Sequence, residues 1–208
     1  MKKIILSMLT LSTIAFSSCG EKESETENVA VVKVSGTYDV ADASVVTWNA
    51  RHYKDTAHAH TGTVTINAGS IVVEDEAIVG GEFEFDMSSI LEGGEPNDYT
   101  IMLQEHLMDT SFFFVSDFVT SSFTITNVTD GVLTGSLNVL GVSKEVSFPV
   151  EMNISAETVT ATADFDINFL DFGLQALVEG DVLPEEEKMQ SANPTVTFQL
   201  DISASKAD

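Results

Sequence analysis

Between residues 131 and 154 the chain reads GVLTGSLNVLGVSKEVSFPVEMNI, and the second half of this stretch alternates without a break. Val146, Phe148, Val150, Met152 and Ile154 fall on one side. Glu145, Ser147, Pro149, Glu151 and Asn153 fall on the other. Successive side chains of a strand point to opposite faces, so this arm predicts a strand with one apolar and one wet face. Leu133, Gly135, Leu137 and Val139 supply a partner arm, and Gly141 marks the reversal between them. The same pattern recurs along the chain, which implies a sheet curled around an apolar interior.

The other strands follow at short spacing. Residues 44–52 carry Val46, Trp48 and Ala50 on one face. Residues 61–67 alternate Val64 and Ile66 with threonines, Ala68-Gly69-Ser70 predicts a turn, and residues 71–74 return. In residues 82–87 Phe83, Phe85 and Met87 stand opposite Glu82, Glu84 and Asp86. Residues 92–98 have the composition of a loop. Asp98 then fits an N-cap for the one convincing helix, residues 99–108. Strands are expected again at 112–115 and 122–128, with a turn at Thr129-Asp130-Gly131. Residues 158–169 place Val159, Ala161, Ala163, Phe165, Ile167 and Phe169 on one face. An acidic loop with two prolines spans 178–194. The last strand, 195–203, places Val196, Phe198, Leu200 and Ile202 together. The class is therefore all-β, with about eight strands and one short helical insertion. An antiparallel barrel of that size holds either its own side chains or one small ligand. A two-sheet sandwich predicts the same alternation, and periodicity does not separate the two.

The N-terminus carries Lys2 and Lys3, an apolar run over 4–16, and then Ser17-Ser18-Cys19. A basic start, a short apolar segment and small residues before a cleavage point make a secretory signal, too short for a membrane span. Cys19 is the only cysteine. Directly after the small residues it reads as the acylated first residue of a bacterial lipoprotein; the plainer alternative is an ordinary signal followed by an incidental thiol. The expected organisation is a signal peptide over 1–18, a lipidated tether over 19–35, a β domain over 36–204 and a tail over 205–208. The expected location is the bacterial cell envelope, on the periplasmic or outer-membrane side.

Loss of Lys2 and Lys3 leaves 7 of the 9 basic residues against 33 acidic ones, a net charge of −26. Nucleic-acid phosphates repel such a chain, which excludes nucleic-acid binding. Anionic membrane surfaces repel it too, so any membrane partner is reached through the acylated N-terminus. Association into a homodimer stays open.

Several pieces taken in order resemble the YceI-like family of exported, lipocalin-like barrels that bind polyisoprenoids. They begin with Val46-x-Trp48, His60-Thr61-Gly62, and Gly81-x-Phe83 running into Asp86-Met87-Ser88-Ser89-Ile90. They continue with Leu103-x-x-His106-Leu107, Ser111-Phe112-Phe113 and Ser122-Phe123. The last are Gly135-x-Leu137, Leu140-Gly141-Val142-Ser143-Lys144 through Phe148-Pro149-Val150, and Phe165 to Gly173. The resemblance covers residues 36–204. It implies an extended antiparallel barrel that binds one isoprenoid lipid, such as a prenylated quinone or prenol, without chemistry. Two positions depart from the family pattern. Phe169 stands where a basic residue is usual, and Phe114 where an acid is common.

The candidate ligand contacts follow from the inward faces. Phe83, Phe85, Met87, Phe123, Phe148, Met152, Phe165 and Phe169 are large and apolar, and Met and Phe suit an irregular hydrocarbon. Gly135, Ala161 and Ala163 are small and are expected to leave room, so Ala161→Phe and Ala163→Phe should block uptake. The alternative is a close-packed core with no cavity, which would make the protein a stress-related surface or interaction domain. Trp48, Arg51 and His60 are the candidates near the polar end. Arg51 is the only arginine, with His52 and Lys54 beside it, and a diphosphate needs a richer cluster of donors. A neutral head group is therefore favoured, and Arg51 and Lys54 also read as two solvated charges near a loop. His58 and His60 would share a strand face, but no third ligand stands at useful spacing and no metal site is expected. No thiol nucleophile, G-x-S-x-G elbow or phosphate loop is present. Neither a cofactor nor catalysis is expected, and an enzyme acting on a lipid is the remaining rival.

Overall fold

Ten strands build one antiparallel sheet, and the chain itself joins the two ends of that sheet. The computed structural model describes residues 33–41, 44–55, 59–174, 176–177, 182–188 and 191–208. The expected signal peptide, Cys19 and most of the tether lie outside the described residues. The strands are β1 (Gly36–Val40), β2 (Val45–Arg51), β3 (Ala59–Glu74), β4 (Ala77–Glu92), β5 (Thr120–Thr129) and β6 (Val132–Val139). They continue as β7 (Val142–Pro149), β8 (Glu151–Ile154), β9 (Thr158–Asn168) and β10 (Thr195–Lys206). The helix α1 (Asp98–Met108) is inserted between β4 and β5, and a 3₁₀ turn (Phe169–Phe172) follows β9.

Neighbours in the sheet run β7-β6-β5-β4-β3-β1-β10-β9-β8. β1 and β2 share one place in this order: β1 pairs with residues 70–73 of β3, and β2 with residues 59–65. β7 and β8 stand at opposite ends of the order, yet only Val150 separates them in the chain. Ten segments therefore fill eight strand positions, and the sheet returns on itself as a barrel. A sandwich would need two sheets, so the ambiguity left by periodicity is resolved. The alternating arm over 145–154 is the closing strand: its first half pairs with β6 and its second half with β9.

Three local readings are corrected. Ala68-Gly69-Ser70 is not a turn, because β3 runs straight through it. The register with β4 slips between Ile66 and Ala68, so the small residues mark a bulge that bends the strand instead of reversing it. The reversal comes at Asp75 and Glu76, both at positive φ (51° and 69°). Residues 112–115 form no strand. The backbone N–H groups of Phe113 and Val115 donate instead to the carbonyls of Leu107 and Met108 at 3.1 and 3.0 Å. Those carbonyls belong to the last turn of α1, where the helix has no partners for them. The N-cap is Asn97, not Asp98. Its side chain accepts from the amides of Tyr99 and Thr100, while Thr100 Oγ1 accepts from the Asn97 amide. Asp98 sits in the first turn, where a negative charge suits the helix dipole.

β10 continues to Lys206, so residues 205 and 206, expected in the tail, are strand. The hairpin at Leu140 and Gly141 is the expected one, with φ of 53° and 74°.

Along the barrel axis the interior divides in two. At the end formed by β1, the second half of β3 and the start of β9, the core is solid. Tyr38, Val73 and Val159 are at most 1% exposed there, and Ile71, Ile125 and Ala204 pack with them. The Tyr38 hydroxyl donates to the Ser155 carbonyl at 2.8 Å, pinning the β8–β9 turn across this end. The other end, beneath α1, is hollow.

Candidate ligand-binding cavity

The hollow half contains a cavity of about 330 Å³. That is within the usual range for a small-molecule site, roughly 300–1,000 Å³. Its walls are inward-facing residues such as Val64, Phe85, Met87, Leu137, Val146 and Phe198, with Leu103 and Leu107 of α1 laid across them. Leu174 and Leu177, beyond the 3₁₀ turn, complete one side.

Of the apolar residues expected inside, Phe85, Met87, Phe123, Phe148, Phe165 and Phe169 line this cavity. Phe83, Met152, Ala161 and Ala163 do not; they belong to the filled half. Ala161 sits across from Met152 on one side and Ile202 on the other, and Ala163 faces Leu200. Both alanines thus lie beside larger residues of the neighbouring strands and outside the cavity lining. Gly135 behaves in the same way: a Cβ there would lie 2.2 Å from Phe123 Cζ, because the phenyl ring already occupies that space. Sequence reading missed Phe198, Leu137, Val146 and the α1 leucines. The alternation of β10, β6 and β7 pointed Phe198, Leu137 and Val146 inward, but nothing marked them as lining a void.

One wall is a run of rings. Phe148 stacks on Phe165 with centroids 4.0 Å apart and planes 10° from parallel. Phe165 in turn lies 5.7 Å from Phe198, and Phe169 meets Phe113 edge-on at 5.4 Å. Such pairs add about 0.5–1.5 kcal/mol beyond area burial. Phe148 belongs to β7 and Phe165 to β9, and no backbone pairing joins these two strands among the described residues. The barrel is therefore closed at this seam by aromatic contact.

The polar groups gather on the adjoining wall, on β2, β3 and the end of β4, where Trp48 is the cross-strand partner of Phe198. Trp48 pairs across from Gly62, which in turn pairs with Glu92, so the three form one row over three strands. The indole lies directly over Gly62; a Cβ there would be 2.4 Å from Trp48 Cζ2 and 1.9 Å from the Leu91 carbonyl. His60 Nδ1 lies 2.7 Å from Glu92 Oε1, and both side chains are largely buried. Tyr99 of α1 stacks beside the imidazole, its hydroxyl 3.5 Å from Nε2. Trp48 Nε1 and Glu92 Oε2 are buried and have no hydrogen-bond partner within the described residues. The sequence offered Trp48 and His60 but not Glu92, which it assigned to a loop.

Arg51 also lines the cavity, with its Nε donating to Asn49 Oδ1 at 3.0 Å. Lys54 is ion-paired to Glu185, which Lys188 also contacts at 2.7 Å. These two lysines, Lys188 first, hold the Glu185 carboxyl down at about 2. Lys54 is thus engaged by an acid and is not one of two loose cations. Among the described residues no group of three or more metal-ligating side chains comes together. His58, the other half of the His58-x-His60 pair, lies outside the described residues.

The sequence matches the YceI-like domain over residues 37–204. The chain belongs to the YceI-like family. Solved structures with this YceI-like fold include a polyisoprenoid binding domain from Saccharophagus degradans implicated in plant cell wall breakdown. It has a TM-score of 0.60 and 13% identity, over 82% of this chain and 98% of that one. BcnA of Burkholderia cenocepacia aligns with a TM-score of 0.57 and 14% identity, over 77% and 96%. The YCEI protein of Campylobacter jejuni aligns at 0.50 and 14%, over 70% and 85%. Among curated proteins no sequence matches the chain. Of the two departures from the YceI-like pattern, one lines the cavity and the other does not. Phe169 is a lining residue, and Phe114 takes a left-handed φ of 44° with its ring 6.0 Å from Phe118.

Proposed function

We propose that this protein binds one isoprenoid lipid in the hollow half of its barrel and performs no chemistry on it. The observation that carries this reading is an apolar cavity with aromatic walls where a closed barrel of eight strand positions could have been filled. Each CH₂ moved from water into such a space is worth about 0.8 kcal/mol, so a prenyl tail gains affinity without polar contacts. The fold shared with a domain named for polyisoprenoid binding supports the same class. The cavity's cations are sparse and Lys54 is occupied by Glu185, which favours a neutral head over a diphosphate.

The protein is further proposed to be a lipoprotein of the cell envelope, acylated at Cys19, with the charged segment after it as a tether. The basic start, the apolar run and the single cysteine support this. Labelling with radioactive palmitate should tag the wild type and leave Cys19→Ala unlabelled; equal labelling would refute acylation there.

The binding reading is tested by organic extraction of the purified protein and mass spectrometry. A prenyl lipid at near stoichiometry is expected. Repeated extractions without lipid, together with failure to take up added prenyl compounds, would favour an interaction domain. The His60–Glu92 pair favours one other reading, an enzyme acting on the bound lipid; that reading requires the lipid to change during incubation and His60→Ala to stop the change.

A further inference from the structure

A purely hydrocarbon ligand would leave the polar row of the cavity unexplained. Trp48 Nε1 is a buried donor with nothing to donate to, and Glu92 Oε2 a buried acceptor with nothing to accept. Burying a polar atom without a partner is unfavourable, so an apolar residue would serve a mere wall better. Gly62 lets the indole lie flat over the strand between β2 and β4, where any side chain would collide with it. His60 is held in turn by Glu92. An ionised carboxylate only accepts, so the tautomer assigned from this contact puts the hydrogen on Nδ1 and leaves Nε2 with a lone pair. Trp48 and His60 are diagonal neighbours on paired strands, a separation that aromatic side chains span.

The wall therefore presents the unpaired Trp48 donor beside the His60 Nε2 acceptor, with Tyr99 at 3.5 Å from that nitrogen and Arg51 on the same strand as Trp48, its Nε already given to Asn49. Resting on the isoprenoid reading above, we propose that Trp48, His60 and Glu92 form a receptor for a neutral hydroxyl group at the head of the ligand. The hydroxyl oxygen accepts from Trp48 Nε1 and its hydrogen goes to His60 Nε2, while Glu92, behind the imidazole and outside the cavity lining, holds His60 in place. A diphosphate is poorly served here, because Arg51 is the sole arginine of the chain and Lys54, beside it, is taken by Glu185. An ether or a carbonyl fails because it accepts but cannot donate. The ligand class is a long prenyl chain ending in a hydroxyl, carried either by an aliphatic alcohol or by a hydroquinone ring.

The test is calorimetric titration of the purified full chain, stripped of co-purifying lipid. The probes are geranylgeraniol, its methyl ether, and a hydroquinone bearing the same geranylgeranyl chain. The alcohol should bind roughly tenfold tighter than the ether, the yield of one to two net hydrogen bonds. His60→Ala should weaken the alcohol roughly five- to tenfold and leave the ether within about twofold, whereas Trp48→Phe removes a donor that either oxygen can use and should weaken both. The ether thus controls for folding and for chain binding. Whichever hydroxyl compound binds more tightly identifies the source of the hydroxyl. Equal affinity of wild type for alcohol and ether would overturn the proposal while sparing isoprenoid binding, and so would a His60→Ala variant that weakens both alike. Failure of all three probes to bind would remove the isoprenoid reading itself, and the receptor with it. Should a variant not fold, the wild-type ratio of alcohol to ether decides alone.

Discussion

The two halves of this barrel are built from the same strands, the same alternation and the same kinds of side chain, yet one is solid and the other hollow. In the solid half a small residue sits between large ones on the neighbouring strands, Ala161 between Met152 and Ile202. A single tyrosine, Tyr38, fills the remaining space and fastens its hydroxyl to the β8–β9 turn. In the hollow half aromatics stack against one another along the wall and leave the axis open. Alternation and hydrophobicity are alike in the two halves, so neither separates the core from the pocket.

The largest expected effect tests the solid half. Tyr38→Ala should cost about 3–5 kcal/mol, the range for removing a buried aromatic, measured by urea denaturation. Phe85→Ala, at the edge of an existing void, should cost clearly less; equal losses would erase the distinction between the halves. Ala163→Phe should cost about 1–3 kcal/mol through overpacking, while the fraction that folds still takes up lipid. Val196→Phe tests the opposite end, because Val196 lines the cavity. It should change the denaturation midpoint little and reduce prenyl uptake at least tenfold; the reverse pattern would mean the cavity closes in solution.

The smallest effect concerns pH. Glu185 is held down at about 2 in the folded protein by Lys188 and Lys54, below its ordinary value of 4.5. A lowered carboxyl contributes stability that is complete above the unfolded value and disappears as pH falls through the folded one, here between about 4.5 and 2. Since the pair is exposed, salt should screen most of it. Protease nicking of the segment 182–188 should rise across that window in low salt, and Glu185→Gln should remove this pH dependence.

Eight strand positions were legible because alternation survives wherever one face of a strand is buried. The closing arm was the clearest stretch of all, since Val146 through Ile154 keep one face while their hydrogen-bonding partners change. Cavity extent was not legible. Alternation tells which way Ala161 and Phe165 point but not whether something large already stands opposite, as Met152 does for Ala161. Glu92 was missed for a different reason. Counting by twos from Phe83 sends Glu92 to the wet face, but the pairing of β4 with β3 slips between Asp86 and Leu91. Met87 and Ile90 are both buried as a result, and Ser89 Oγ accepts the Thr65 amide at 2.8 Å in place of a carbonyl. That irregularity turns Glu92 inward beside His60. Asn97 was passed over for Asp98 because both residues cap helices well, and only the return bond from Thr100 distinguishes them.

The junction between β7 and β9 has a mechanical meaning. A cylinder laced all the way round by main-chain bonds has its girth fixed by strand number and stagger. This one is fastened along one line by two stacked phenyl groups, which can slide or part without breaking a ladder. Only the β8 half of the closing arm is laced to β9 by the main chain, so along the β7 half the spacing is set by ring contacts.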